Sequence, residues 1–192
     1  GSAPANDISG NNLHATQSGN IQYSRQQTGD LTVAGAITGA TTSLDVPEGT
    51  LRLAGTNTYQ GTTTISNLAS LYIGIGGTSG SLGTGNITNN GTLAFNRSDS
   101  LTLTNLISGT GEFWQVGSGT TTLAANNNYT GGTKISSGVL QIGNGITDGS
   151  IGSGNITNEG VLFFNKTTTS FSFTNLISGN GSFKAVVAAS TS

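Results

Sequence analysis

Residues 129–136 read Tyr-Thr-Gly-Gly-Thr-Lys-Ile-Ser, and they repeat residues 59–66, which read Tyr-Gln-Gly-Thr-Thr-Thr-Ile-Ser. Two further stretches recur in the same way, since residues 85–89 return at 154–158 and residues 104–109 return unchanged at 174–179. The offset is 69 or 70 positions each time. Most of the 192-residue chain is therefore two copies of one unit, at about 50–118 and 119–187.

Apolar and polar residues alternate within each copy. The alternating runs lie at residues 51–53, 71–73, 93–95 and 101–103 and, in the second copy, at 140–142, 162–164 and 171–173. A period of two is typical of strands with one buried face. Gly, Asn, Ser and Thr bound each run, as turns require. The pattern predicts an all-β protein with many short strands.

Repeating units that cannot bury their own apolar face have to stack on one another. We therefore expect a right-handed parallel β-helix with about three coils per repeat, because parallel connections are nearly always right-handed. Leu53, Ile73, Phe95 and Leu123 are predicted to point inward. We expect residues 29–192 to form the helix, with degenerate coils at 19–23 and 29–33. Residues 1–28 are expected to be its N-terminal end, partly frayed or made of degenerate coils.

The composition excludes several classes of function. Only 7% of the residues are charged and the net charge is -2, with the six Lys and Arg residues spread along the chain. Nucleic-acid binding needs clustered basic residues, so no nucleic acid is expected as a partner. Cys is absent, which excludes disulfides and thiolate metal sites. No apolar run approaches the ~20 residues of a membrane-spanning helix, so no membrane insertion by this chain is expected.

Catalytic and metal-binding patterns are missing as well. The single His residue, His14, lies in the weakly patterned N-terminal stretch, and no Ser-protease nucleophile motif is present. Asp45 and Glu48 are close in sequence but flank a predicted solvated turn at Val46 and Pro47. Gly-rich stretches lack the Asp of calcium-binding nonapeptides. We expect no catalytic residues, no metal and no cofactor.

Three aromatic residues stand out because they fall at outward positions. Tyr72 lies between the inward residues of its strand, Trp114 aligns with Lys184 of the other copy, and Phe163 aligns with Ala94. A position that also accepts Lys is expected to face solvent, so all three are predicted to be exposed. Aromatic residues are enriched in binding hot spots, which makes these three the candidate binding residues. The alternative is cover beneath a loop or ordinary surface apolarity.

The strings at residues 58–65 and 128–143 resemble the autotransporter-associated β-strand repeat, and residues 87–98 resemble the same repeat type. The resemblance covers about residues 49–186. It implies a Gram-negative, type V secreted protein with a signal peptide, a β-helical passenger and a translocating β-barrel in the full-length chain. On that basis the chain is expected at the cell surface, or secreted after cleavage.

The resemblance and the uncharged, hydrogen-bonding composition together favour a non-enzymatic adhesin. Its partner would be a host cell-surface or matrix molecule, or other copies of the protein in bacterial self-association, with a role in virulence. Two alternatives remain open. The passenger could be a released ligand or toxin for a host receptor, or it could be a structural stalk that carries a distal functional region.

Overall fold

The computed structural model of the chain describes residues 21–22, 30–168 and 171–187. This part is all-β, and its strands form a parallel β-solenoid of about eight coils. The strands are β1 (Ile21–Gln22), β2 (Leu31–Val33), β3 (Leu44–Leu53), β4 (Thr63–Ile73), β5 (Ile87–Asn89), β6 (Thr92–Phe95), β7 (Ser100–Leu103), β8 (Ile107–Ser108), β9 (Glu112–Gln115), β10 (Thr120–Leu123), β11 (Thr133–Ile135), β12 (Val139–Ile142), β13 (Ile156–Asn158), β14 (Val161–Asn165), β15 (Ile177–Ser178) and β16 (Ser182–Val186).

The strands lie on three faces. Face 1 contains β1, the first parts of β3 and β4, β5 and β8. Face 2 contains β2, the second parts of β3 and β4, β6, β9, β11, β13 and β15. Face 3 contains β7, β10, β12, β14 and β16. Since all these pairs are parallel, residues paired in register on successive coils lie directly above one another.

The core lies between the three faces and consists of inward ladders. The predicted inward residues Leu53, Ile73, Phe95 and Leu123 are each fully buried, which confirms the register read from the alternation. Aromatic rings stack along the axis, with the Phe95 and Phe113 centroids 5.3 Å apart. Burial of these apolar side chains supplies most of the stability of a fold that is polar in composition.

The two repeats do not lie over each other. Paired residues on successive coils are 19 to 24 positions apart, as in Thr120↔Val139 and Thr63↔Ile87. A 70-residue repeat therefore extends over three complete coils and then on to the next face, rather than over the three coils expected. Thr63 lies on face 1, whereas its counterpart Thr133 lies on face 2 and pairs with Phe113. Equivalent residues of the two copies thus point to different sides of the solenoid.

Local contacts are nevertheless the same in both copies. The ring of Tyr129 is fully buried and its hydroxyl lies 2.8 Å from the Thr133 hydroxyl, and Tyr59 and Thr63 make the same contact at 2.7 Å. Gly74 and Gly143 begin equivalent turns with φ values of 83° and 79°, a conformation that favours Gly. The sequence repeat is therefore a repeat of turns and buried contacts.

Three expectations need comment. Residues 45–48 do not form a turn, because they belong to β3, where Val46 is fully buried and a register irregularity separates Val46 from Glu48. Of the expected N-terminal end, Ile21–Gln22 pairs with β3, and the rest of residues 1–28, with His14, lies outside the described residues. The degenerate coil at 29–33 corresponds to β2, which pairs with β3.

Candidate functional site

A row of outward side chains runs along face 2, one from each coil. The central part has the order cation, aromatic, methyl, aromatic, cation, and we call it the aromatic ladder. It consists of Arg52, Tyr72, Ala94, Trp114 and Lys134. Adjacent coils lie about 4.8 Å apart, so the two aromatic residues, which are two coils apart, are separated by about 10 Å along the axis. Two of the three predicted binding residues therefore lie on one surface.

Each aromatic ring of the ladder has a cation beside it. The guanidinium carbon of Arg52 lies 4.3 Å from the centre of the Tyr72 ring, and the ammonium nitrogen of Lys134 lies 5.1 Å from the Trp114 ring. Such cation–π contacts contribute ~0.5–1 kcal/mol at exposed sites. Ala94, between the two aromatic residues, is fully buried although it points outward. The ladder is a continuous, packed strip.

Two carboxylates hold the strip in place. Asp30 forms a 2.7 Å ion pair with Arg52, and Glu112 accepts a 2.8 Å hydrogen bond from the indole nitrogen of Trp114. The cations and the acids are equal in number, so the strip carries no net charge. Because its side chains already have partners, ordering them on binding costs little further entropy.

A row of hydroxyl groups lies beside the aromatic ladder. Thr50, Ser70 and Thr92 occupy the outward positions two residues before Arg52, Tyr72 and Ala94, and they pair with one another across the coils. We call these three residues the hydroxyl row; each is half-buried. Within the described part of the chain, their hydroxyl groups have no hydrogen-bond partner. They are therefore available to a ligand.

The exposure predicted for the aromatic residues is only partly correct. Tyr72, Trp114 and Phe163 all point outward, but each is half-buried rather than exposed. For Tyr72 and Trp114 the physical reason is the cation on one side of the ring and Ala94 on the other. Ring edges, rather than whole ring faces, are left to solvent.

Phe163 does not join the aromatic ladder. It lies on face 3, where it pairs with Gln141 on one side and Lys184 on the other. The outward neighbours two positions earlier on these strands are Val139 and Val161. The second copy thus has valines at the two positions where the first copy has Ser70 and Thr92, and its strands lie one face further round the solenoid. The sequence did not reveal this separation.

Apart from Tyr72 and Trp114, the members of the site on face 2 were missed from the sequence. Arg52, Lys134, Ala94 and Glu112 gave no signal by themselves, since each is unremarkable within its own strand. Lys134 lies 20 positions after Trp114 in sequence and directly beside it in space. A spacing of one coil length was therefore the signal that could have identified it. The repeat of 70 positions hid this relation.

Large aliphatic residues flank the ladder at both edges of the β4 coil. Leu68, at the corner before face 2, is 76% exposed, and Ile75, at the corner after it, is 56% exposed. With the half-buried Tyr72 between them, one coil presents three apolar side chains to solvent. Exposed apolar surface grouped in this way is typical of contact sites.

Two carboxylates in the described part of the chain have a lowered pKa. Hydrogen bonds from Arg97 lower the pKa of Asp99, and hydrogen bonds from Thr167 lower the pKa of Asp148. Both carboxylates are therefore ionised at neutral pH and would be poor general acids. No group of three or more His, Cys, Asp or Glu side chains among these residues could hold a metal ion.

Comparison with known proteins gives two matches. The family model described as passenger-associated-transport-repeat matches residues 48–67 and 115–142. The two matches include corresponding positions of the two copies. The adhesin BmaC autotransporter of Brucella suis biovar 1 (strain 1330) is 46% identical over 99 residues, which is 50% of this chain and 3% of that protein. The chain thus spans a very small part of this relative. No solved structure matches the chain.

A membrane-spanning helix is not found either. In the part of the chain that the structure describes, no helix is long and apolar enough to cross a bilayer.

Proposed function

Because this chain carries the passenger-associated-transport repeats of autotransporter passenger domains, we propose that it works as an adhesive segment at the cell surface or after secretion. In this proposal its function is binding, with no covalent change in the partner. The partner is a host surface or matrix molecule, or another copy of the protein on a neighbouring bacterium. The name of the Brucella relative, an adhesin, supports this proposal.

The single observation that carries the proposal is the aromatic ladder on face 2. Trp, Tyr and Arg are the residues most enriched in binding hot spots, and here Trp114, Tyr72 and Arg52 lie on one flat strip. Parallel coils hold the strip rigid, so little conformational entropy is lost on contact. Phe163 lies on face 3, outside this strip, and takes no part in the proposed contact.

Weak contacts become adhesion when many copies act together. One strip buries too little surface for tight binding by a single molecule. Copies displayed side by side on a cell raise the effective concentration of the second contact, so the avidity exceeds the single affinity by orders of magnitude. With a net charge of -2, long-range attraction is small, and binding should depend weakly on salt.

Beads coated with the purified chain provide the test. We expect coated beads to bind cultured host cells or one another, while the free monomer binds far more weakly and gives no cellular response. Beads coated with serum albumin are the control for non-specific contact. No binding by coated beads would favour a stalk. A saturable cellular response to free monomer, independent of clustering, would favour a released receptor ligand instead.

A further inference from the structure

The chemistry of face 2 is that of a surface for sugars. The half-buried rings leave apolar edges against which the C–H groups of a sugar ring can pack, and hydroxyl groups at regular spacing can exchange hydrogen bonds with its O–H groups. Tyr72 and Trp114 supply the apolar edges. The hydroxyl row supplies the hydrogen-bonding groups, two residues before Arg52, Tyr72 and Ala94 on β3, β4 and β6. We propose that face 2 binds a neutral oligosaccharide along the solenoid axis. This inference rests on the proposed adhesive function.

The charges on face 2 argue for a neutral ligand. Arg52 is already paired with Asp30, and Lys134 lies against the Trp114 ring. Glu112 lies at the end of the hydroxyl row, where it is exposed and its negative charge would repel an anionic chain. A sulfated or sialylated polymer would therefore find no free cluster of cations, whereas a neutral sugar has no charge that must be desolvated.

Face 3 provides an internal comparison. At the positions equivalent to Ser70 and Thr92, the second copy has Val139 and Val161, which have no hydroxyl group. Gln141 takes the place of Tyr72 there. On face 3 the outward hydroxyls of Thr120 and Ser182 are separated by Val139 and Val161, so the continuous hydroxyl row beside an aromatic ring occurs on face 2. The ligand is expected on face 2.

Geometry also sets the size of the ligand. The hydroxyl row extends over three successive coils, from Thr50 to Thr92, and the two aromatic residues flank Ala94 over about 10 Å. A ligand that contacts Tyr72, Thr92 and Trp114 together must be longer than one sugar unit. We therefore expect oligosaccharides to bind more tightly than their monosaccharides.

Trp114 is the single Trp of the chain, so its fluorescence reports directly on this face. The probes are neutral oligosaccharides from animal glycoproteins, the neutral polysaccharide of a bacterial outer surface, heparin as the anionic polymer, and gelatin as a protein ligand. We expect a saturable change in Trp114 emission with a neutral glycan at about millimolar affinity. Comparison of the animal and bacterial probes shows whether the bound sugar comes from a host or from another bacterium.

Matched variants take their residues from the other copy, which keeps the fold. The double variant Ser70→Val/Thr92→Val should weaken glycan binding by about tenfold, and so should Tyr72→Gln. Trp114 is unchanged in both and remains the fluorescent reporter. The reverse exchange on face 3, Val139→Ser with Val161→Thr, should leave glycan binding unchanged. Melting temperatures of all variants should stay close to that of the parent.

Three outcomes would overturn the proposal. They are a response to heparin or gelatin alone, the absence of a saturable change with every neutral glycan, and undiminished glycan binding by the valine variant. In the first two cases, coated beads that still adhere to cells would leave the adhesive function standing with a different ligand. If the coated beads also fail to adhere, both the sugar-binding proposal and the proposed adhesive function are wrong.

Discussion

The ammonium nitrogen of Lys134 lies 5.1 Å from the centre of the Trp114 ring on the neighbouring coil. The two residues come from different repeats, and the repeat counterpart of Lys134 is Thr64, which lies on face 1. Their contact exists because each repeat takes three coils and one further face. The same shift separates Phe163 from Tyr72 and Trp114.

Replacing Lys134 with Thr, the residue of the other copy, should uncover one side of the Trp114 ring. We expect stronger quenching of Trp114 fluorescence by acrylamide, with a loss of only ~0.5–1 kcal/mol in the free energy of unfolding. Lys184→Thr, on face 3, is the matched control. Unchanged quenching in Lys134→Thr would show that the cation does not cover the ring.

A charge at an inward position should be far more damaging. Leu93 and Leu162 are fully buried at equivalent positions, so Leu93→Asp or Leu162→Asp places an unpaired carboxylate in the core. Urea unfolding should show a loss of at least about 3 kcal/mol for either variant. Thr88→Asp, at an exposed outward position, is the control. Parent-like stability of either Leu variant would contradict the register.

Asn127 ties neighbouring coils together through its side chain. Its carbonyl oxygen accepts the Ile107 amide hydrogen at 2.9 Å, and its amide nitrogen donates to the carbonyl oxygens of Ala125 and Ser150. Asn127→Ala leaves a buried N–H without a partner, and we expect it to cost about 1–3 kcal/mol in urea unfolding. Asn126→Ala, at an exposed neighbouring position, should be nearly neutral. Equal losses of stability in the two variants would argue that the Asn127 side chain does not join neighbouring coils.

Alkaline pH should weaken the fold through its buried tyrosines. Burial raises the pKa of Tyr129 to about 12, despite the opposing hydrogen bond from Thr133. The folded pKa is above the unfolded value near 10, so the stabilisation is complete below pH ~10 and is lost as the pH rises towards ~12. Two pKa units correspond to about 3 kcal/mol.

Unfolding measured between pH 9 and pH 12 tests this prediction. Tyr129→Phe should be less stable than the parent at pH 8, because Thr133 loses its partner, but should lose less stability on going to high pH. The other buried tyrosine, Tyr59, whose pKa burial also raises, keeps part of the sensitivity in this variant. A Tyr129→Phe variant with the full alkaline loss would contradict the account.

Much of the fold follows from the sequence, because strand alternation and repeated turns are local features. The direction in which Leu53, Tyr72 and Phe95 point was readable from the residues on either side. Which coil lies beside which was not, since that depends on the number of residues per coil, and coils of 19 to 24 residues do not divide 70 evenly.

The candidate site was predictable only as a list of residues. Tyr72 and Trp114 could be chosen because they replace polar residues of the other copy. Their partners Arg52 and Lys134 depend on the stacking register, so no single-strand pattern identifies them. The half-burial of the rings follows from these partners, which is why the sequence predicted too much exposure.

Bead adhesion by variants of each face would show whether face 2 is the adhesive surface. Beads carrying equal densities of the parent, the Tyr72→Gln/Trp114→Lys double variant and Phe163→Ala would be compared for binding to the same cells. Both substituted faces then carry residues that the other copy already accommodates. The account predicts that the double variant loses most of its adhesion while Phe163→Ala retains it, with all three proteins melting within a few degrees of one another. Full adhesion by the double variant, or loss in Phe163→Ala alone, would contradict it.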